Sequence, residues 1–281
     1  MKWTPGGSGE HVEDRRGTRA PGIGGLGRGG GAGIGAILIV LLLSWFTGRD
    51  LTPMLGLISG GESEPASVPT GVPPNDQAGQ FATWVLNDNQ EQWGKLLGPQ
   101  YRPTNLVLFS GATNSGCGPA QASTGPFYCP ADEKVYIDLD FYQELHTRFG
   151  ASGDFAQAYV LAHEVGHHVQ NVLGIEQEMR RAQRANPRAA NELSVRMELE
   201  ADCFAGIWGH STAQRDILES GDVEEGLNAA AAIGDDRIQK QATGRISPES
   251  FTHGTSQQRA TWLRRGLEQG SVEACDTFAA R

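Results

Sequence analysis

The chain has 281 residues and a formal net charge of −10. An acidic chain lacks the basic footprint that binding to nucleic acid requires, so we expect no nucleic-acid partner. The charge agrees with an exported domain but says little about a substrate.

The N-terminal part of the sequence predicts a tail and a membrane anchor. Residues 1–33 are rich in Gly and Arg and poor in apolar residues, so we expect a disordered tail. Residues 34–46 are almost wholly apolar and lie in an uncharged span from Gly29 to Gly48. This span is about long enough to cross a bilayer, and we predict a transmembrane anchor over residues 34–48. A cleaved signal peptide is the alternative, but no small-x-small cleavage site follows promptly.

Charge predicts the orientation of this anchor. Basic residues precede it in the tail, whereas only Arg49 closely follows it. The positive-inside rule then places the N-terminus in the cytoplasm and the chain after Gly48 outside. We therefore expect a single-pass protein of the inner (cytoplasmic) membrane, held by one N-terminal helix, with a periplasmic or other extracytoplasmic domain. Residues 49–75, with several Pro, Gly, Ser and Glu, are interpreted as a linker to a domain over residues 76–281.

The four cysteines agree with export, because an even number in an exported domain suggests disulfides. Cys117 and Cys129 flank a Gly/Pro-rich loop, whereas Cys203 and Cys275 lie far apart in the sequence. We expect the pairs Cys117–Cys129 and Cys203–Cys275, which is one of three possible pairings. A buried free thiol is the alternative for Cys203.

Apolar spacing predicts the elements of the first half of the domain. Residues 81–97 suggest one broken helix or two short ones, and residues 106–109 suggest a strand. Residues 110–132 form a Gly/Ser/Pro-rich loop. Residues 134–139 alternate and are rich in β-formers, which indicates a second strand, and residues 141–149 indicate a short helix.

A His-Glu-x-x-His motif follows, formed by His163, Glu164 and His167. It lies in a run with helical apolar spacing over residues 155–173, for which Asp154 is the expected N-cap. Positions i and i+4 of a helix share one face, so both imidazoles can bind one Zn²⁺ from the same side. Glu164 then lies beside the open face of the metal, where it can take a proton from water. An amphipathic helix with surface histidines is the alternative.

The next acidic segment offers a third ligand. A catalytic zinc usually has three protein ligands and a water. Glu198 and Asp202 lie one helical turn apart on one face. Glu200 is the main rival of Glu198, but it projects about 160° away from that face. A solvated acidic face is the alternative. His168 falls on a different face from the motif histidines, and we interpret it as a packing or solvent residue.

The rest of the chain is predicted to be helical. A polar surface segment over residues 174–187 leads into the helix of Glu198, which is expected to run to about residue 210. Asp222 and Glu225 indicate a capping box for one helix over residues 222–242. Asp235 and Asp236 are expected on its solvated face, and the alternative is that their carboxylates reach the site and support it from behind the ligands. A final helix begins near residue 255.

Several motifs occur in a fixed order and cover nearly the whole chain apart from the linker: residues 12–17, 115–118, 127–130, 135–139, 163–170, 198–206, 233–236 and 252–256. This ordered set resembles the bacterial family of putative neutral zinc metallopeptidases, which are membrane-anchored proteins with a glutamate-type zincin site. The resemblance implies an α+β, mainly helical, zincin-like domain with a small sheet preceding the active-site helix.

The resemblance also implies roles for individual residues. Zn²⁺ would be bound by His163, His167 and Glu198, and Asp202 would accept the N–H of a ligand histidine. In zincins of this type the edge strand along the cleft pairs with the extended substrate, which suggests residues 134–139 for that role. An ordinary sheet strand is the alternative.

Zincins with a glutamate ligand often place a His or Tyr where it stabilises the oxyanion of the reaction. His253 is the first candidate for this catalytic role and Tyr159 the second, whereas a structural or exposed loop histidine is the alternative for His253. We therefore expect a zinc-dependent endopeptidase that acts on a peptide or protein substrate, with Glu164 as general base. A membrane-anchored zinc-binding scaffold or chaperone-like protein without turnover is the alternative. No pattern indicates an oligomeric state.

Overall fold

The computed structural model describes residues 1–17 and 69–279, whose strands form a four-stranded sheet and a separate hairpin. The order in the sheet is β1-β2-β6-β5, in which β1, β2 and β6 are parallel and β5 is antiparallel to β6. The sheet strands are β1 (Val12–Asp14), β2 (Asn105–Phe109), β5 (Phe127–Cys129) and β6 (Lys134–Asp138), and the hairpin strands are β3 (Ala112–Ser115) and β4 (Gly118–Gln121).

Short apolar runs place β2 and β6 at the centre of the sheet. Residues 106–109 and 135–137 are almost completely buried, as expected for parallel strands that are covered on both faces. Both strands are confirmed. The interpretation of residues 134–139 as the edge strand is wrong, because β6 lies between β2 and β5. The edge position on that side belongs to β5, within the segment that was expected to be a loop.

The described residues are mainly helical, in agreement with the expected class. The α-helices are α1 (Gln77–Leu97), α2 (Asp140–Thr147), α3 (Asp154–Leu173), α4 (Ile175–Ala185), α5 (Ala190–Gln214), α6 (Asp222–Ala232), α7 (Asp235–Thr243) and α8 (Ser256–Gln269). α3 is central, since it contacts α1, α5 and α6 as well as β5 and β6. It ends at Gly174, which adopts a left-handed conformation.

Residues 1–17 belong to the folded domain, so the expectation of a disordered tail over residues 1–33 is wrong for this part. β1 pairs with β2 along its whole length, and Glu13 pairs with Thr70 on the other side. Val12 is completely buried. Composition did not reveal this strand because its hydrogen bonds come from β2, and three residues need little apolar surface of their own.

The predicted anchor over residues 34–48 and most of the predicted linker lie outside the described residues. In the part of the chain that the structure describes, no helix is both long and apolar enough to span a bilayer. The described segments on either side of this stretch meet each other, because the Asp14 N–H donates to the Pro69 carbonyl over 3.0 Å.

Three predicted extents differ from the structure in their local details. α1 is one continuous helix, capped by the Asp76 side chain, and not a broken one. The polar segment predicted over residues 174–187 contains α4. Asp154 and Asp222 were expected to be N-cap residues, but each is the first helical residue, of α3 and α6 respectively. The N-cap residues are Gly153 and Gly221.

The helix predicted over residues 222–242 is two helices, α6 and α7, which are separated at Gly234. A Cβ atom at Gly234 would lie 2.3 Å from the backbone nitrogen of Ser256, so the chain turns here to admit the start of α8. Asp235 and Asp236 follow this break. Both accept hydrogen bonds from the backbone of the segment that precedes or begins α8, instead of facing solvent.

Both expected disulfides are present, Cys117–Cys129 and Cys203–Cys275. The first joins the turn between β3 and β4 to the edge strand β5. The second joins α5 to the segment that follows α8. Each therefore connects an element of the domain core to a segment that has little apolar surface of its own.

Glycines allow α3, α5 and α8 to approach one another closely. A Cβ atom at Gly166 of α3 would lie 2.9 Å from the Ala201 carbonyl oxygen of α5. A Cβ atom at Gly266 of α8 would lie 2.0 Å from the Cys203 carbonyl oxygen, which also belongs to α5. Only glycine fits these positions without movement of the backbone. The contacts bring the middle of α5 against the motif helix and bring α8 against α5.

Candidate metal centre

Three ligand-type side chains meet where α3 faces α5. His163 and His167 lie one turn apart on α3, and Glu198 extends from α5. The Nε2 atom of His163 lies 3.1 Å from Oε2 of Glu198, and Nε2 of His167 lies 3.5 Å from Oε1. His163 is buried, whereas His167 and Glu198 are partly exposed. The two imidazoles and the carboxylate therefore form one convergent donor set.

This donor set fits Zn²⁺. One ligand atom from each residue can be chosen so that all three lie within 4.8 Å of one another. Two ligands of a tetrahedral zinc ion, each about 2 Å from the metal, are separated by roughly 3.3 Å. The observed separations are close to that value, 3.1 Å from His163 to Oε2 of Glu198 and 3.5 Å from His167 to Oε1. Two imidazoles with one carboxylate, open on one side, are also the donor chemistry of catalytic zinc sites.

Asp202 is completely buried one turn after Glu198 and supports His163 from behind. Its Oδ1 atom lies 2.8 Å from Nδ1 of His163 and accepts a hydrogen bond of 2.6 Å from the Tyr159 hydroxyl. Arg259 of α8 donates to both carboxylate oxygens, over 2.8 and 2.9 Å. A His163 ring that donates its Nδ1 proton to Asp202 presents Nε2 to the metal position.

Buried negative charge makes the centre favourable for a cation. Burial acts to lower the pKa of the His163 imidazole, but Asp202 and Glu198 raise it to about 9. Burial acts to raise the pKa of Glu198, yet His167 and His163 hold it well below its usual value. Burial likewise opposes ionisation of Asp202, but Arg259 and His163 lower its pKa. Both carboxylates are therefore ionised at neutral pH.

Glu164 lines the same cleft as the donor set. Its side chain is largely buried, and among the described residues its carboxylate has neither a hydrogen-bond nor an ion-pair partner. Its charge acts on His167 to raise the pKa of that imidazole, although burial, the largest influence, acts in the opposite direction. A carboxylate so placed is available to a water molecule or substrate beside the metal position.

The loop before α8 brings His253 to the cleft, where its side chain is 52% exposed. Asp235 holds this loop by accepting hydrogen bonds from the backbone N–H groups of Thr252, His253 and Gly254. Its Oδ1 atom also lies 3.3 Å from Nδ1 of His253, and this interaction raises the pKa of the imidazole against the effect of burial. Because Nδ1 is engaged, Nε2 is the nitrogen that can contact a substrate.

The hydroxyl of Tyr159, the second candidate for oxyanion stabilisation, is already hydrogen-bonded to other side chains. It is 1% exposed, and its hydroxyl donates to Asp202 and accepts a bond of 3.3 Å from Arg259. Burial raises the pKa of this hydroxyl well above its usual value. Between the two candidates, the geometry favours His253.

A cleft of about 580 Å³ runs past the donor set. Strand β5 and the loop before it form part of its lining, together with side chains from α2 and α4. The charged side chains that α4, α2 and the residue after α2 contribute to this lining form ion pairs, Arg148 with Glu144 and Arg180 with Glu176. Apolar side chains such as Phe141 and Met179 also contribute. This mixture suits a peptide, which offers both apolar side chains and backbone polar groups.

The sequence left open whether His168 is a packing residue or a solvent-exposed one, and the structure shows a packing residue. It is completely buried, with Nδ1 3.1 Å from the Tyr128 hydroxyl and Nε2 2.7 Å from the Arg102 carbonyl oxygen. Burial lowers the pKa of its imidazole. The residue therefore joins α3 to β5 and to the segment before β2, and it takes no part in the donor set.

A second group of acids lies near the start of α3, where Asp154, Asp222 and Glu225 place carboxylate oxygens within 4.8 Å of one another. The Met1 ammonium group lies among them, 2.8 Å from Oδ1 of Asp154 and 3.3 Å from Oδ1 of Asp222. This group already surrounds a cation of the chain itself, so it does not compete with the histidine site as a metal centre.

Two residues of the centre were not predicted from the sequence, Arg259 and Gln170. Arg259 lies in the stripe of buried positions of α8 that includes Trp262, Leu263 and Gly266. A charged residue in such a stripe is a signal of a buried partner. Gln170 lies three residues after His167, on the face of α3 that carries the ligands, and its Oε1 is 2.9 Å from Nδ1 of that histidine.

Comparison with known proteins identifies the family of this chain. The profile of the family described as "Putative neutral zinc metallopeptidase" matches residues 1–278. The chain is 49% identical to the uncharacterized protein YpfJ of Escherichia coli K12 over 286 aligned residues, which cover 99% of each protein. It is 48% identical to the uncharacterized protein Rv2575 of Mycobacterium tuberculosis H37Rv over 199 residues, 67% of this chain and 66% of that protein. No solved structure matches the chain.

Proposed function

This chain belongs to the putative neutral zinc metallopeptidase family, and we propose that it is a zinc-dependent endopeptidase that hydrolyses peptide bonds with a metal-activated water. One observation carries the proposal. His163, His167 and Glu198 converge in an open cleft beside Glu164, whose carboxylate has no partner within the described residues. With Glu198 as its third ligand, the proposed enzyme would be a glutamate-type zincin.

Each residue of the centre has a role in this proposal. His163, His167 and Glu198 hold Zn²⁺, and Asp202 keeps the Nε2 atom of His163 directed at it. When bound, Zn²⁺ supplies Lewis acidity, which lowers the pKa of a water molecule and polarises a carbonyl group. Glu164 takes a proton from the attacking water and passes it to the leaving amine.

His253 is proposed to donate a hydrogen bond to the oxygen of the scissile carbonyl as negative charge develops there. Such a donor contributes most when it is fixed in place before the reaction. The hydrogen bonds of Asp235 to the loop and its contact with Nδ1 support this role, since they hold the ring at the cleft. They also favour the protonated ring, because Asp235 raises its pKa.

The substrate is proposed to lie extended along β5. This strand is the outer one on its side of the sheet, and Phe127 and Tyr128 line the cleft. A peptide added to a strand edge gains backbone hydrogen bonds that depend little on its side chains. A peptide or protein is therefore the expected partner of the cleft, and β5 takes the role that the sequence suggested for residues 134–139.

The domain is proposed to act outside the cytoplasm, attached to the inner membrane by residues 34–48, with residues 1–17 on the same side as residues 69–279 because β1 pairs with β2. Its two disulfides support an oxidising compartment. The alternative function remains a membrane-anchored zinc-binding scaffold or chaperone-like protein without turnover. Such a protein has no use for a general base, and the free carboxylate of Glu164 favours the enzyme.

A peptide-library digest tests the proposed function. The purified full-length chain, loaded with zinc, should cleave internal peptide bonds, lose this activity with a chelator and regain it when zinc is restored. One bound zinc per chain without any metal-dependent cleavage would support the scaffold. A chain that binds no zinc would contradict both functions.

A further inference from the structure

The ligand His167 is supported differently from His163. Asp202 supports His163 with a buried carboxylate, but the group behind His167 is the neutral side-chain amide of Gln170, whose Oε1 lies 2.9 Å from Nδ1. Gln170 is completely buried. Its Nε2 group donates to the Met197 carbonyl oxygen over 2.8 Å and to Oε2 of Glu200, also over 2.8 Å.

These contacts fix the orientation of the Gln170 amide. An amide has one end that donates and one that accepts. The carbonyl oxygen of Met197 accepts only, so the NH₂ end of Gln170 must face it, and the carbonyl end must face His167. The reversed amide would place its oxygen against the Met197 oxygen in a buried site and leave both oxygens without a donor, which is unfavourable.

The orientation of the amide in turn determines the tautomer of His167. A carbonyl oxygen at 2.9 Å from Nδ1 requires a proton on that nitrogen. The lone pair of the neutral ring is then on Nε2, the atom that lies 3.5 Å from Oε1 of Glu198. The tautomer that can bind a metal at the centre is thus selected by residues that do not touch the metal position.

Glu200 gains a role through this arrangement. In the sequence it was the main alternative to Glu198 as the third ligand. In the structure its side chain is 4% exposed and accepts a hydrogen bond from Gln170, behind His167. We propose that Gln170 and Glu200 are positioning residues that hold His167 in its metal-binding tautomer and thereby set the affinity of the centre for zinc. This inference rests on the proposed zinc site and adds to it residues that act only through a ligand.

The zinc affinity of matched variants tests the proposal. Gln170→Met removes the acceptor at nearly constant volume, and zinc affinity measured by competition with a chelator should fall about 10–100-fold. Gln183→Met is the control, because Gln183 donates to Ala190 and Ser194 and contacts no ligand. Its affinity for zinc should equal that of the wild type. Glu200→Gln keeps an acceptor for the Gln170 amide and should lose less affinity than Glu200→Leu.

A second measurement needs no variant. In the zinc-loaded wild type, ¹H–¹⁵N NMR should show a proton on Nδ1 of His167 that exchanges slowly with solvent, since its acceptor is buried. Metal bound through Nδ1, with the proton on Nε2, would overturn the proposal even if Gln170→Met does not fold. Wild-type zinc affinity in Gln170→Met would also overturn it. A wild type that binds no zinc would instead contradict the proposed function.

Discussion

Asp202 holds a negative charge out of contact with water, and three donors satisfy it. These are the Tyr159 hydroxyl, the His163 ring and the guanidinium of Arg259. Removing one partner of a buried ion pair typically costs about 3–5 kcal/mol, because the remaining charge is left uncompensated. Arg259 therefore keeps Asp202 ionised, and Asp202 keeps His163 oriented. The geometry of the ligands depends in this way on α8, a helix that supplies no ligand.

A substitution at Asp235 should change the pH dependence of catalysis. In the proposed mechanism, protonated His253 donates to the developing oxyanion, so activity declines as pH rises through the pKa of this imidazole. The contact with Asp235 and the charge of Glu198 raise that pKa, whereas burial and Arg259 lower it. Asp235→Asn removes one of the groups that raise it. The alkaline limb of kcat/KM against pH, which reports the free enzyme, should therefore move to lower pH.

The control for this measurement is Asp236→Asn. Asp236 holds the start of α8 through Ser256 and makes no contact with His253 among the described hydrogen bonds. The alkaline limb of the pH profile of Asp236→Asn should match that of the wild type. An unchanged limb in Asp235→Asn, with cleavage otherwise intact, would remove His253 from the proposed mechanism.

Elements whose signals are local were predicted well, and elements formed by distant contacts were not. The motif spacing predicted α3, and Thr255 with Gln258 forms a true capping box at the start of α8. By contrast, β1 and β5 are three residues long and depend on hydrogen bonds from neighbouring strands. The break between α6 and α7 results from the approach of Ser256 to Gly234, which no local pattern reveals.

The same reasoning separates the residues of the centre. His163, Glu164 and His167 could be predicted because their spacing on one helix expresses the chemistry directly. Glu198 required the spacing of a second helix. Arg259 could not be assigned, because its position beside the centre depends on the close packing of α8 against α5.

Two glycine-to-alanine substitutions should have opposite effects on stability, because Gly266 lies in the close contact of α8 with α5 and Gly94 of α1 has room beside it. In Gly266→Ala the new Cβ atom would lie 2.0 Å from the Cys203 carbonyl oxygen, so the helices must separate. The free energy of unfolding should fall by about 1–3 kcal/mol. In Gly94→Ala the nearest atom outside the local helix is 3.9 Å away, on Tyr101, and better helix propensity should raise stability by about 0.5–1 kcal/mol.

Denaturant unfolding of both variants, with the disulfides intact, measures this difference. Equal stability of Gly266→Ala and the wild type would show that α5 and α8 are not in the contact described here.

For the molecule as a whole, the position of β1 restricts the membrane arrangement. A single crossing by residues 34–48 would place residues 1–17 and residues 69–279 on opposite sides of a membrane. The pairing of β1 with β2, and of Glu13 with Thr70, requires both parts to be on one side once the domain has folded. The positive-inside rule considers only the charges that flank a span, so it could not include this constraint.

Cysteine labelling in intact cells tests this arrangement. Thr4→Cys and Gln257→Cys place single thiols at exposed positions of the two parts. A membrane-impermeant maleimide should label both equally, because the proposed export places both parts on the outer side of the membrane. Labelling at residue 257 with protection at residue 4 would contradict the shared sheet. Protection of both would leave the sheet intact but contradict export.

The central claim is that Glu164 is a general base beside a zinc ion, and Glu164→Gln tests it most directly. The substitution keeps the shape of the side chain and removes its basicity. General-base catalysis contributes about 10²–10⁴-fold, so kcat/KM for a peptide identified in the library digest should fall by at least about 100-fold. Zinc content and thermal stability, measured on the same samples, should match the wild type. Equal cleavage by the variant and the wild type, with equal zinc, would contradict the proposed mechanism even though the metal centre itself was correct.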